Sequence, residues 1–229
     1  MFDFSSITNS WAYILEGVKY TIELTIITAV GGLILGTGLA LCRLSTSKIL
    51  SEFSKLYTNL MRAVPLVLVL FWFFLLMPEV LKVLLRLDHP VMIGAEVTAI
   101  ITFVLFEAAY FAEIMRAGIQ SVSKGQMSAA MALGLRYGQT MRYVILPQAM
   151  STSVPAFVAN VIFLLKETSV FSAISLMDLM FTAKDLIGLY YKTAENLFLL
   201  VVFYLIILLP VSLLGSWLER RLRYAGFGA

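Results

Sequence analysis

Residues Glu113 to Ala149 read EIMRAGIQSVSKGQMSAAMALGLRYGQTMRYVILPQA, a basic, glycine-punctuated segment between two apolar runs that are each long enough to cross a bilayer. Lys124 to Leu133 is rich in helix formers and predicts a short helix. Gly134 is the natural breaker, because glycine tolerates the backbone of a tight turn and presents no side chain to a neighbour. Arg136 to Leu146 predicts a second helix, and Pro147 is expected to open the next segment. Ala129 and Ala130 form a low-profile ridge suited to lying in a groove. Periodicity alone leaves two roles open: an amphipathic connector resting on lipid headgroups, or a docking surface for a partner.

Working outward, the composition places the rest of the chain in a membrane. Of its 229 residues, 60% are hydrophobic and 14% charged, whereas soluble domains run nearer half apolar and a quarter charged. The single Cys42 excludes an internal disulfide, and with the single His89 it leaves no Cys/His metal cluster. Lys19 is the only cation near the N-terminus, which lacks the basic-then-apolar layout of a cleavable signal, so the first apolar segment is expected to remain as an anchor. No GxxxxGK[ST] phosphate loop and no Ser/His/Asp or Cys/His arrangement is present, which argues against catalysis by this chain.

Apolar runs predict an all-α integral membrane protein with five transmembrane helices in one domain over 1–229. They cover about 21–42, 57–77, 91–112, 149–165 and 196–217, with a polar loop over about 116–147. Gly32 and Gly36 in the first span have the spacing that admits a close helix neighbour. Arg62, near the start of the second, is expected to snorkel to the headgroups. Residues 170–189 are apolar only in patches and predict short surface or re-entrant helices.

Cation placement orients the spans. Arg43, Lys48, Lys55, Arg62, Arg116, Lys124, Arg136, Arg142, Arg220, Arg221 and Arg223 fall on one side, which is eleven of the 17 Lys and Arg residues. Lys19, Lys82, Arg86, Lys166, Lys184 and Lys192 fall on the other. The richer side, holding the loop and the C-terminus, is expected to be cytoplasmic, with the N-terminus outside.

The loop resembles the EAA loop of ABC importer permeases, through Gly125, Gln126, Ser128, Ala129, Ala130, Gly134, Ile145 and Pro147. Ser128 stands where the wider family has the Glu of that motif. Further stretches, Arg62-Ala63-Val64-Pro65-Leu66, Phe106 to Ile114, Ile119 to Val122 and Leu165 to Ser169, resemble polar amino-acid permeases of the histidine/glutamine/glutamate type. The combination FEAAYFAEIMRAGIQS with SAA in the loop looks closest to a permease subunit of glutamate/aspartate importers.

The resemblance implies the type I importer permease fold, with the loop as a cytoplasmic coupling helix that docks on an ATPase. It also implies a bacterial inner-membrane pore made with a second permease, as a homodimer or heterodimer. Two ATPase subunits would lie below and a periplasmic substrate-binding protein above. ATP and Mg would sit on the ATPase; no cofactor is expected on this chain, and no nucleic acid is an expected partner. Other polar amino acids (glutamine, histidine, arginine) are the alternative cargo. A stand-alone secondary transporter is a further alternative, which would leave the docking loop unexplained.

Ionisable groups inside spans are functional candidates, because burying them unpaired is costly. Glu107 shares a helix face with Tyr110 and Ile114 and either holds a substrate ammonium or pairs with a cation from a neighbouring helix. Asn160 and Ser153 either line a polar cavity or bond adjacent helices. Lys166, Thr168 and Ser169 are candidates for the outer end of the pathway, where the N-terminus of a short helix after Thr168 would assist Lys166 in attracting a carboxylate.

Overall fold

A computed structural model describes residues 4–224. All regular structure in that range is helical. A short α1 (Ser5–Asn9) leads into α2 (Trp11–Arg43); α3 (Lys48–Ala63), α4 (Leu66–Phe71) and α5 (Met77–Leu85) follow. Then come the long α6 (Ala95–Ser121), the loop helices α7 (Lys124–Ala132) and α8 (Tyr137–Thr140), and α9 (Leu146–Glu167). After α9 come α10 (Leu179–Tyr190) and α11 (Thr193–Tyr224). Five helical stretches are long and apolar enough to cross a membrane: Trp11–Arg43, Leu66–Leu85, Ala95–Ser121, Tyr137–Ile174 and Thr193–Arg221. The side chain of Arg223 lies outside the described ones.

Helix α6 is central. Its most apolar window is 56% buried, against 11% for α11, whose flank is left for lipid. The pairing of α6 with α2 depends on small residues. A Cβ on Gly36 would stand 2.8 Å from both the Ala108 carbonyl and the Ala112 nitrogen, and one on Gly32 would stand 3.2 Å from the Glu107 Cβ. The close approach that the Gly32/Gly36 spacing allows is therefore made by α6. Lipid tails are as apolar as the side chains, so such contacts are held by packing and hydrogen bonds rather than by exclusion of water.

The second span differs from the sequence reading of a continuous 57–77 helix. Pro65 disfavours the helical conformation for the residue before it, and Val64 is extended (φ −108°, ψ 136°), so α3 ends and α4 begins there. Helix α3 is amphipathic in the inverted sense. Ser54 and Thr58 are buried, while Ile49, Phe53, Leu56 and Leu60 are exposed. Its polar face is tied to its neighbours: Ser54 Oγ donates to the Leu39 carbonyl (2.7 Å) and the Tyr57 hydroxyl to the Leu105 carbonyl (2.7 Å). Such an arrangement suits an apolar surrounding.

Two prolines explain two local irregularities. A π-helical turn at Trp72–Leu76 precedes Pro78, and another at Met141–Ile145 precedes Pro147. Proline removes an N–H and its ring collides with the carbonyl four residues back, here Phe74 and Tyr143. Widening that turn to π spacing relieves the collision without ending the helix. Pro147 therefore does not open a new segment: helix continues from Tyr137 through a 3₁₀ turn (Thr168–Ile174).

The other boundaries shift as well. The first helix begins at Trp11 rather than near Thr21, and the third begins at Ala95 and runs to Ser121, so Arg116 belongs to α6 and not to the loop. Between the fourth and fifth spans, α10 packs against α2 and α11. It is held by Leu179 N–H donating to Thr21 Oγ1 (3.0 Å) and by the Asp178 carboxylate capping Phe181 N–H (2.8 Å).

Candidate docking loop and substrate pathway

The loop starts where Ser123 caps α7, its hydroxyl accepting from Gly125 N–H (3.2 Å). Helix α7 ends at Gly134, which adopts φ +87°. Leu135 N–H reaches back to the Ala130 carbonyl (3.2 Å) and Gly134 N–H to the Met131 carbonyl (3.0 Å). These two bonds close a Schellman cap around a left-handed residue, a conformation that favours glycine. Arg136 N–H then donates to Gln139 Oε1 (2.9 Å), which starts α8.

The residues singled out in the loop separate by role. Gly125, Gln126, Ser128, Ala129, Gly134 and Pro147 are exposed. Ala130 and Ile145 are buried, Ile145 among Ala40, Met115, Met141 and Ala149. The Ser128 hydroxyl donates to the Lys124 carbonyl inside its own helix (3.3 Å). Leu133, 85% exposed, together with exposed Met131, Tyr137 and Tyr143, adds an apolar surface that the sequence reading passed over. Their signal was available: large apolar residues beside a glycine turn in an otherwise polar segment.

Within the bundle, Glu107 is 1% exposed. Its Oε2 accepts from Asn160 Nδ2 at 2.6 Å, which links α6 to α9, and its Oε1 has no partner. The Glu167 carboxyl lies near it and also carries a buried unpartnered oxygen. Among the described residues no Lys or Arg pairs with Glu107; of the two readings of this carboxylate, the cross-helix ion pair is absent. A buried carboxyl oxygen that lacks a donor is costly unless the group is neutral, shares a proton with a neighbouring carboxyl or meets a cationic ligand.

Glu167 was missed as a site residue, although Asn160 and Glu167 are seven apart and share a face of α9. Its neighbour Lys166 turns the other way. The Lys166 ammonium lies 5.9 Å from the Phe163 ring centroid and lines a cavity of about 370 Å³ with Ser169, Met180 and Tyr204. The helix N-terminus expected after Thr168 does not exist, because α9 passes straight into the 3₁₀ turn; Thr168 N–H bonds back to Leu164 and Lys166 carbonyls. The Thr168 hydroxyl is spent on the Leu165 carbonyl (2.7 Å). Ser153 bonds the Ile114 carbonyl across helices (3.4 Å) rather than lining a cavity.

Tyr110 lies close enough to Glu107, Glu167 and Arg62 to feel the charge of each. Arg62 reaches α6. Its guanidinium lies 5.7 Å from the Tyr110 ring centroid and 3.9 Å from Glu113 Oε2. Glu113 also accepts from Arg43 (2.9 Å) and binds Arg116, which makes one carboxylate the meeting point of α2, α3 and α6.

Known proteins share this whole architecture. The family model described as "Binding-protein-dependent transport system inner membrane component" matches residues 28–224. The glutamate/aspartate import permease protein GltK of Escherichia coli O157:H7 is 43% identical over 221 residues, covering 96% of this chain and 98% of that protein. The arginine transport system permease protein ArtQ of Bacillus subtilis is 35% identical over 96% of this chain and 97% of its own. Among solved structures, a crystal structure of an amino acid ABC transporter with histidines superposes with a TM-score of 0.85 at 30% identity, covering 96% of this chain and 99% of that one. An inward-facing MetNI methionine ABC transporter, with a TM-score of 0.77 at 20% identity over 93% of this chain and 98% of its own, shares the fold. The chain belongs to the binding-protein-dependent transport system inner membrane component family and is an amino-acid ABC transporter permease subunit with the type I permease fold.

Proposed function

We propose that this chain is the permease subunit of an ATP-driven importer that carries acidic amino acids, glutamate and aspartate, across the bacterial inner membrane. The observation behind amino-acid transport is buried Glu107 with half-buried Glu167 and Asn160, which offer carboxyl oxygens to a substrate ammonium inside the bundle. Tyr110 lines the same place, while Lys166 and Ser169 line a different cavity, against α10 and α11. The acidic cargo is supported by the full-length similarity to the glutamate/aspartate permease. Similarity to arginine and glutamine permeases keeps other polar amino acids as the second reading.

In this reading two permeases, identical or different, enclose the pathway, a periplasmic binding protein delivers substrate, and two ATPase subunits dock on the exposed loop around Ala129, Leu133 and Gly134. ATP and Mg are bound by those ATPases. The loop and C-terminus face the cytoplasm, in keeping with the excess of Lys and Arg at that end. The test is uptake into proteoliposomes holding the permease pair and ATPase, with binding protein added outside. ATP-dependent accumulation of labelled glutamate and aspartate is expected. Accumulation of glutamine or arginine alone would replace the cargo, and uptake by this chain without ATPase would replace the mechanism.

A further inference from the structure

Where the first span ends and the fourth begins, a cavity of about 670 Å³ opens between them. Its walls are apolar: Leu41 and Leu44 at the end of α2, Met141 in the π turn and Leu146 at the start of α9. Ser45, Thr46 and Arg142 line it as well. The two kinds of residue divide by exposure. Met141 is buried and the three leucines are half-buried, whereas Thr46 and Arg142 are exposed. The polar groups therefore stand at the mouth of an apolar recess.

Those polar groups are uncommitted. Among the described residues Arg142 makes no hydrogen bond or ion pair; its guanidinium lies 5.7 Å from the ring centroid of Tyr143. The Thr46 hydroxyl has no partner among them either. Ser45 Oγ accepts from Ser47 N–H (3.2 Å), which leaves its own proton free. Lys48, in the first turn of α3 and two residues from Thr46, has no acidic partner among the described residues. Arg43, one residue before Leu44, is by contrast committed to Glu113.

An apolar recess with free cations and hydroxyls at its mouth, set where two spans end, is complementary to a lipid. We propose that this cavity binds one anionic phospholipid of the leaflet on the loop side. Its phosphate meets Arg142 and the Ser45 and Thr46 hydroxyls, and an acyl chain lies on Leu41, Leu44 and Met141. Basic pockets between spans take anionic headgroups in this way. Exposed Tyr137 lines the cavity and exposed Tyr143 adjoins Arg142, a placement typical of tyrosine at the membrane–water interface. A free inorganic phosphate would lie against leucine walls that give it no hydrogen bonds. The docking surface around Ala129, Leu133 and Gly134 is a separate place, since none of the three lines the cavity. The site is independent of which amino acid is carried.

The test is native mass spectrometry of the delipidated permease–ATPase complex, titrated with phosphatidylglycerol or phosphatidylethanolamine. Wild type should hold phosphatidylglycerol roughly tenfold more tightly at its strongest site, given two unpaired cations. Arg142→Gln should weaken that binding about fivefold, the worth of one cation near an anionic headgroup, and leave phosphatidylethanolamine unchanged. Arg142→Lys should stay close to wild type. Gly138→Phe adds a ring to the cavity wall, where a Cβ meets nothing within 4 Å, and should block the strongest site for both lipids. Equal wild-type affinity for the two lipids overturns the assignment, as does a preference that survives in Arg142→Gln. If Arg142→Gln lowers the complex yield, phosphatidylglycerol binding that persists in Gly138→Phe overturns it instead. Displacement of phosphatidylglycerol by inorganic phosphate would make the ligand a free anion and not a lipid. Loss of ATPase co-purification in Gly138→Phe with lipid binding intact would give the cavity to the ATPase.

Discussion

Asn160 on α9 donates its side-chain amide to the carboxylate of Glu107 on α6 at 2.6 Å, and among the described residues no cation stands on the other side of that carboxylate. The contact is local glue between two spans and at the same time leaves one oxygen free. Which of these matters more is a question of what remains when the charge is removed.

Glu107→Gln keeps the shape and the ability to accept from Asn160 but loses the charge. Removing one side of a buried ion pair commonly costs about 3–5 kcal/mol, but here no cation is stranded. Complex yield should stay near wild type while uptake, and ATPase stimulation by the loaded binding protein, fall at least tenfold. A collapse in yield with residual uptake in proportion would make Glu107 a structural residue.

Gly134→Leu tests the loop. At φ +87° a side chain is strained by roughly 1–2 kcal/mol, and no neighbour lies close enough to clash. The bundle is held elsewhere, so the chain should reach the membrane in normal amount. The Schellman cap should open and ATPase co-purification should drop. Retained co-purification together with retained uptake would remove Gly134 from the docking surface.

Gly36→Ala makes the opposite prediction. The added methyl meets backbone of α6 at 2.8 Å on two atoms, and backbone has nowhere to move inside the α2–α6 contact. Overpacking of this kind costs about 1–3 kcal/mol. Thermal stability of the detergent-solubilised complex should fall by several degrees, with loss of yield. Gly38→Ala, where a Cβ meets nothing within 4 Å, is the control and should be neutral.

Asp178 predicts a pH dependence. Burial raises its carboxyl to about 6, against which the Phe181 and Met180 backbone N–H bonds and the charge of Lys184 act more weakly. A folded-state value above the unfolded one means that the contribution is full below about 4 and is lost as pH rises through about 6. The melting temperature of the wild type should therefore fall across that window. Asp178→Asn keeps an oxygen to cap α10 without the ionisation. Its melting temperature should be flat there and should exceed wild type at pH 7.5; an unchanged slope would show that another group sets it.

The sequence by itself determined the membrane class, the number of spans, the polar loop between the third and fourth spans and its glycine turn. Each depends on residues near in the chain: apolar runs of spanning length, cations clustered between them, and Gly134 just past the helix-forming run of α7. Glu107 was legible too, because a carboxylate in an apolar helix stands out whatever surrounds it. Tertiary structure decided what the polar groups do. Glu167 and Lys166 are adjacent in sequence, yet only packing against α6 and α11 sends one inward to Glu107 and the other outward over Phe163. Pro147 reads in the sequence as the start of a new segment, but helix passes it and Pro78 alike, since a π turn and flanking helices absorb the collision. Arg62 reads as an interfacial cation until α3 is laid along α6, and only then does it meet Tyr110 and Glu113. Charge placement along a chain is a one-dimensional signal, whereas the pairing of charges depends on which helix faces meet, and in a bilayer that is set by the small residues that let α2 and α6 touch.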